Sequence, residues 1–224
     1  MFYYNNWLLQ NFNKRPALII FNMKFYLSSY KIGNKAEKLK ELALGKIGFI
    51  PNSLDFIEPI AREKSNQENM KDLSDIGIDV EMLDLKDYFG KEEELKKKIN
   101  SFGGVWVRGG NTFVLNQAMK LSGFDKIIKN LDRDDFLYGG YSAGICILAP
   151  SLKALQQVDN PEIMPYEECK EILWEGLGIL DHIILPHYKS DHPESADIDK
   201  EVEFCKRNNI PFKTLRDGEV IIIE

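Results

Sequence analysis

A serine lies at the centre of the pentapeptide Gly140-Tyr141-Ser142-Ala143-Gly144, with a short apolar run on each side of it. The run before the serine is typical of a strand and the run after it of a helix, so the chain is predicted to turn sharply here. In such a nucleophile elbow the serine adopts a strained backbone conformation, and glycines flank it because side chains would collide with the neighbouring strand and helix. Ser142 is therefore the candidate nucleophile of a hydrolytic reaction.

A second glycine-rich turn, Arg108-Gly109-Gly110-Asn111, follows another short apolar segment. Asn111 is a favourable N-cap for the helix predicted after it, and the glycines allow a tight turn that leaves backbone N–H groups unpaired. If both turns lie at the same edge of a sheet, the N–H groups of Gly110 and Ala143 can form an oxyanion hole beside Ser142.

A serine hydroxyl needs a general base near neutral pH, and histidine is the usual one. The chain has three histidines, His182, His187 and His192. His187 follows Pro186 just past the predicted end of a strand, at the edge of a parallel sheet where sites form. His182 is predicted to be structural because it lies inside that strand, and His192 to be solvent-exposed in a polar loop. His187 is therefore the candidate base.

Four short motifs occur in a fixed order along the chain. They are Gly109-Gly110-Asn111-Thr112-Phe113, Gly140-Tyr141-Ser142-Ala143-Gly144, Pro186-His187-Tyr188 and Leu215-Arg216-Asp217-Gly218. This series resembles that of the peptidase E (aspartyl dipeptidase) family, and the resemblance extends from Met23 to about Ile223. It implies a serine peptidase on the flavodoxin-like core that is shared with class I glutamine amidotransferases. The expected substrate is a short peptide, cleaved through an acyl-enzyme without a metal or an organic cofactor.

The acid that orients the imidazole has two candidates. The resemblance points to Asp217, although Asp217-Gly218 between two strand-like segments is also a strong signal for a β-hairpin turn. Asp159 follows the elbow helix at a distance similar to that of a second family acid, and its alternative role is an Asx-turn ahead of Pro161. The sequence leaves both carboxylates open as the third member of the triad.

Substrate contacts are predicted at Asn111 and Tyr141. Family members that cleave after an N-terminal aspartate need a cation for its carboxylate, and arginine serves best. The segment 191–199, which follows the candidate base, is acidic and contains no arginine. The cations that could replace it are Arg108, Lys189 and Lys200. Aspartyl dipeptides and peptides with another N-terminal residue therefore both stay open as substrates.

Alternating elements must position these residues. Strands are predicted at 24–30, 46–51, 79–85, 104–107, directly before Ser142 and within 177–188. Helices are predicted at 34–44, 54–76, 91–99, 111–121 and 124–131, with a break near Pro59 and another in the polar run 64–69 as open possibilities. This order predicts a flavodoxin-like three-layer sandwich, with a mostly parallel sheet and helices on both faces.

The first 22 residues fit this pattern poorly, because they are rich in aromatic residues and asparagine and show no clear period. They are predicted to be an extension outside the fold or an artefact of the start site, with an added edge strand at 17–21 as the alternative. Residues 23–224 are predicted to form a single catalytic domain.

Composition narrows the class of protein. The net charge of -6 is spread along the chain, which argues against a nucleic-acid partner. Cys146, Cys169 and Cys205 are far apart and show no metal-site spacing. No apolar run approaches the roughly 20 residues that span a bilayer. A cytoplasmic monomer or homodimer, not associated with a membrane, is expected.

Three alternative functions are compatible with the sequence. Glutamine amide transfer is suggested by His192-Pro193-Glu194, but those enzymes carry cysteine at the elbow, whereas Cys146 lies one helical turn beyond Ser142. Another acyl or amide hydrolase would share the pentapeptide. A non-catalytic binding protein on the same fold is the third alternative, although a binder needs no nucleophile.

Overall fold

The computed structural model describes residues 22–224, so the predicted extension, except for its last residue, lies outside the described part of the chain. Six strands form the main sheet: β1 (Lys24–Ser28), β2 (Ile47–Ile50), β3 (Val80–Met82), β4 (Gly104–Val107), β5 (Leu137–Tyr141) and β8 (Val220–Ile223). Their spatial order is β3-β2-β4-β5-β1-β8, and β8 alone of the six runs antiparallel to its neighbour. Two further strands, β6 (Ile183–Leu185) and β7 (Phe212–Thr214), pair in parallel as a separate small sheet.

Seven α-helices lie in the described residues. They are α1 (Ala36–Leu42), α2 (Pro59–Asp75), α3 (Glu92–Asn100), α4 (Thr112–Ser122), α5 (Phe124–Lys129), α6 (Ala143–Cys146) and α7 (Ser195–Arg207). Short 3-10 turns occur at Asn52–Leu54, Leu85–Tyr88 and Lys153–Gln157. In this part of the chain, no helix combines the length and apolar character that crossing a membrane requires.

The main sheet separates two apolar layers. Along β1, Phe25 and Leu27 point to one layer and Tyr26 to the other, and all three are buried, as the alternation of side chains in a strand requires. The first layer contains residues of α4, α5 and α6, and the second contains residues of α1 and α2. The strands are therefore apolar on both faces, which is typical of a covered parallel sheet. The predicted three-layer α/β fold is confirmed.

Local differences from the sequence prediction have simple causes. Pro59 begins α2 instead of breaking it, because the first turn of a helix does not need the N–H group that proline lacks. The polar run 64–69 is helical because Lys64, Gln67 and Glu68 face solvent. The two buried asparagines of the run accept hydrogen bonds from other elements, Asn66 from Arg108 and Asn69 from Tyr141. Helix α7 is not among the predicted helices, because it begins inside the acidic segment 191–199, which shows no clear helical signal.

The hairpin interpretation of Asp217-Gly218 is wrong. Strand β7, before the turn, pairs with β6 in the small sheet, whereas β8, after the turn, pairs with β1 at the edge of the main sheet. The turn therefore carries the chain from one sheet to the other. This path brings Asp217 next to the ends of both β1 and β6.

Candidate active site

Ser142 sits in an elbow between β5 and α6. Its backbone has φ 50° and ψ -120°, a conformation that residues with side chains rarely adopt and that is costly unless the surrounding structure enforces it. A Cβ atom on Gly140 or Gly144 would lie 2.6 or 2.1 Å from the carbonyl oxygen of Val107 in β4, so glycine is required at both positions. The elbow predicted from the sequence is therefore present, and the Ser142 side chain is half-buried.

The glycine-rich loop after β4 touches the elbow. A Cβ atom on Gly109 would lie 2.9 Å from Cβ of Ser142, so the two turns are packed against each other. Gly110 has φ 147°, and Ser53 supports the loop: its hydroxyl donates to the carbonyl of Gly109 at 2.7 Å and its carbonyl accepts the N–H of Asn111 at 2.9 Å. The loop is therefore held at the same sheet edge as Ser142.

The two predicted oxyanion donors have free N–H groups. Within residues 22–224, neither Gly110 nor Ala143 donates its backbone N–H to an acceptor. Ala143 is also the first residue of α6, where no intrahelical acceptor exists. Both groups are thus available to a ligand beside Ser142, as an oxyanion hole requires.

His187 and Asp217 form a direct pair. Nδ1 of His187 lies 2.7 Å from Oδ1 of Asp217, so the proton on Nδ1 is donated to the carboxylate and Nε2 is left as the basic nitrogen. The side chain of His187 is only 2% exposed. Burial and the nearby charge of His192 lower the pKa of His187 from its usual value, while the Asp217 carboxylate acts in the opposite direction.

Ser29, the residue after β1, holds both members of the pair. Its hydroxyl oxygen accepts the backbone N–H of His187 at 2.9 Å and lies 2.9 Å from Oδ1 of Asp217, to which it can donate. The Ser190 hydroxyl accepts the N–H of Asp217 at 2.8 Å and supports the same turn. Neither serine is among the site residues predicted from the sequence. A hydroxyl at the carboxyl end of the first parallel strand was the signal that could have identified Ser29.

Packing contacts bring this pair next to the elbow. The Tyr30 ring lies edge-on to Tyr141, the residue before Ser142, with 6.2 Å between the ring centroids, and edge-on to His187 at 5.8 Å. On the other side of the elbow, Cys146 in α6 contacts the carbonyl of Ile184 in β6, three residues before His187. The nucleophile candidate and the base candidate therefore share one edge of the fold.

His192 is not the isolated surface residue that the sequence predicted. Its ring stacks on that of His187, with centroids 3.7 Å apart and 8° between the planes, and its side chain is 19% exposed. Oε2 of Glu194 lies 4.0 Å from Nε2 of His187 and 3.9 Å from Nδ1 of His192. His182, in contrast, precedes β6 and pairs with Asp181.

Asp159 lies elsewhere in the site. Its Oδ2 accepts the N–H of Thr112 at 2.8 Å, at the start of α4, and it makes no hydrogen bond to His187. Burial raises the pKa of Asp159 to about 6, and the Glu194 carboxylate adds to this effect. Of the two acids that the sequence left open, the structure brings Asp217 to the imidazole and Asp159 to the loop that carries Gly110.

The predicted substrate contacts are both buried in protein. Asn111 is 4% exposed: its Oδ1 caps α4 by accepting from Phe113 and Val114, and its Nδ2 donates to the carbonyl of Asn160. Tyr141 is 5% exposed, and its hydroxyl donates to Asn69. These contacts position the two glycine-rich turns, and a direct substrate contact by either residue stays a prediction.

Cys146, the cysteine next to the elbow, is not a nucleophile. All three cysteines are free, and Cys146 is buried, with a pKa raised well above its usual value by that burial. A thiol of this kind is inert, because only the thiolate is a good nucleophile. Glutamine amide transfer, which uses a cysteine at the elbow, is therefore not supported by the structure.

The cations proposed for an aspartate carboxylate are engaged by protein groups. The Arg108 guanidinium is buried and donates to Asn66, Ser65 and the carbonyl of Gly109. Lys200 pairs with Asp197, and Lys189 lies over the Tyr188 ring, 5.0 Å from its centroid. Glu194 adds a carboxylate 4.0 Å from Nε2 of His187.

The chain is similar in sequence to known peptidases. The family model of Peptidase family S51 matches residues 34–224. An uncharacterized peptidase of Listeria innocua is 32% identical over 124 residues, which is 52% of this chain and 57% of the relative. Peptidase E of Streptomyces coelicolor is 30% identical over 159 residues, or 68% of this chain and 59% of the relative. The matched stretch thus spans less than two thirds of these curated relatives.

Solved structures share the fold over a larger part of their length. A candidate peptidase E protein of Listeria monocytogenes EGD-e superimposes with a TM-score of 0.71 at 25% identity, covering 90% of this chain and 94% of that one. A peptidase from an acI-B1 actinobacterium has a TM-score of 0.66 at 15% identity, with 90% and 83% covered, and demonstrates the same fold.

Proposed function

Because the chain belongs to peptidase family S51, we propose that it is a serine peptidase that hydrolyses short peptides. The triad is Ser142, His187 and Asp217. The observation that carries this proposal is the 2.7 Å contact between His187 and Asp217 at the same sheet edge as the strained Ser142 elbow. A nucleophile, a buried base that keeps Nε2 for proton transfer and an acid on its Nδ1 are the three parts that acyl transfer needs.

The mechanism follows from these positions. Ser142 Oγ attacks the peptide carbonyl while Nε2 of His187 takes its proton, and the N–H groups of Gly110 and Ala143 stabilise the oxyanion. His187 then protonates the departing amine. Water, activated by the same imidazole, hydrolyses the acyl-enzyme and restores Ser142. Asp217 keeps the proton of His187 on Nδ1 and stabilises the imidazolium that forms in each step.

The proposed substrates carry a neutral or basic N-terminal residue. Glu194 places a carboxylate 4.0 Å from Nε2 of His187, and its side chain is 44% exposed, so it can face a bound peptide. The Arg108 side chain, which could have bound an aspartate carboxylate, is buried and already hydrogen-bonded. Repulsion by Glu194 would weaken binding of an Asp-X dipeptide, whereas a cationic group would be attracted.

A peptide panel tests the proposal. Dipeptides and tripeptides with Asp, Glu, neutral and basic N-termini are incubated with the wild type, with Ser142→Ala and with Ser101→Ala, a matched change at an exposed serine. Products are scored by mass spectrometry. We expect cleavage by the wild type and Ser101→Ala, none by Ser142→Ala, and the poorest turnover for Asp-X.

Two outcomes would contradict the proposal. Cleavage that survives in Ser142→Ala would remove Ser142 as the nucleophile. If the folded wild type cleaves no peptide in the panel, the protein acts on another acyl or amide substrate or binds without catalysis.

A further inference from the structure

Beside the proposed base lie two side chains, His192 and Glu194, that have no role in the proposed mechanism. One potential ligand atom from each of His187, His192 and Glu194 lies within 4.8 Å of the others. We propose that these three residues form a site for Zn²⁺ that inhibits the enzyme reversibly.

The donor atoms are those that zinc prefers. Two imidazole nitrogens and one carboxylate oxygen are a common protein ligand set for Zn²⁺ and leave a fourth position for water. Asp217 already holds Nδ1 of His187, so the nitrogen that faces the group is Nε2. A carboxylate on the far nitrogen of a metal-binding histidine orients the ring and makes it a better ligand.

The Glu194 carboxylate needs only a small movement to take part in this site. Oε2 of Glu194 lies 4.0 Å from Nε2 of His187 and 3.9 Å from the ring of His192. Donor atoms around tetrahedral zinc, with bonds of about 2.0–2.1 Å, are roughly 3.4 Å apart. Glu194 must therefore approach by about half an ångström, which a half-exposed side chain on a loop can do.

His192 must also turn. The lone pairs of two parallel stacked rings do not converge on one point, so binding requires the His192 ring to leave its stack on His187. Its other contacts are weak enough to allow this. The N–H of Glu194 reaches Nδ1 of His192 at 3.3 Å, and the Tyr30 ring is edge-on at 5.5 Å.

Inhibition follows from the shared atom. A zinc ion on Nε2 of His187 occupies the lone pair that accepts the proton of Ser142, so the base is withdrawn while the ion is bound. This consequence rests on the proposed function, but binding itself does not. The two are therefore measured separately.

Binding is tested without any substrate. Wild-type protein freed of metal with EDTA is titrated with Zn²⁺ in competition with a chromophoric chelator, and with Co²⁺, whose visible absorption reports tetrahedral coordination. We expect one tight site per chain. Glu194→Gln and His192→Ala should each weaken zinc binding by at least about tenfold. Residues that only hydrogen-bond to a metal ligand already contribute about that much, and a direct ligand should contribute no less. His182→Ala, which removes a histidine paired with Asp181 outside the group, should bind like the wild type.

Inhibition is then measured with the best peptide of the panel. Zn²⁺ should inhibit the wild type and His182→Ala equally, EDTA should restore the rate, and Glu194→Gln should require at least about tenfold more Zn²⁺. If His192→Ala does not fold, the zinc affinity of Glu194→Gln tests the site instead. Glutamine keeps the shape of the glutamate side chain and removes only its charge, so this variant is expected to fold.

Three results would overturn the inference. They are equal zinc affinity in the wild type and Glu194→Gln, an equal loss of affinity in His182→Ala, or bound zinc that leaves the rate unchanged. If the metal-free wild type hydrolyses no peptide, the proposed function fails, and the binding data still decide whether the site exists.

Discussion

The hydroxyl oxygen of Ser29 accepts the backbone N–H of His187 at 2.9 Å, across 158 positions of the chain. The same hydroxyl lies 2.9 Å from Asp217. One side chain at the end of β1 therefore sets the position of the base and of the acid behind it, and its removal should reduce catalysis without touching the nucleophile.

Ser29→Ala should lower kcat roughly 10-fold to 100-fold, which corresponds to the loss of about 1–3 kcal/mol when a buried polar group loses its partner. KM should change little, because Ser29 supports His187 and Asp217 and is not placed against the substrate. Ser28→Ala, which removes the neighbouring buried hydroxyl bonded to the carbonyl of Tyr30, is the matched control. Steady-state kinetics decide, and equal effects of the two changes would mean a general packing defect.

Asp217→Asn should lower kcat/KM by about 10³ to 10⁴, because an amide no longer selects the productive tautomer of His187 or stabilises its cation. Asp159→Asn should keep kcat/KM close to that of the wild type, since Asp159 bonds to the N–H of Thr112. The comparison uses the same substitution at the two acids that the sequence could not separate. A larger loss in Asp159→Asn would exchange their roles.

Asp159→Asn should also stabilise the fold at neutral pH. The folded protein raises the pKa of Asp159 from 3.8 to about 6, so the carboxylate is disfavoured there and stability falls as the pH rises through this window. Two pKa units correspond to at most about 3 kcal/mol above pH 6. Asparagine removes this cost and keeps an acceptor for Thr112. Denaturant unfolding should show the gain at pH 7.5 and its disappearance below pH 3.8.

The acid limb of the pH profile should reflect the lowered pKa of His187 and respond in opposite directions to two substitutions. The base must be neutral, so kcat/KM falls as the pH drops through the lowered pKa of His187. His192→Gln removes a neighbouring positive charge and should move the limb to higher pH. Glu194→Gln removes a negative charge and should move it to lower pH. The profiles are measured in EDTA, and shifts in the same direction would refute this electrostatic account.

Much of the fold and part of the site could be predicted from the sequence, because the signals are local. Alternating apolar segments and glycine positions predict the parallel sheet, and the spacing around Ser142 predicts an elbow whose glycines meet Val107 in the structure. Pro186 before His187 predicts a histidine at the end of a strand. In each case, neighbouring residues in the chain carry the information.

Tertiary structure alone decided which groups surround the imidazole of His187. Asp217 reaches it because β7 and β8 join different sheets instead of forming a hairpin, a choice that depends on which strands are free to pair. Ser29 reaches it from the far end of the chain, and His192 stacks on it because the loop before α7 folds back. Local sequence predicts the chemistry of each side chain, whereas distances between remote segments are determined only when the whole core packs.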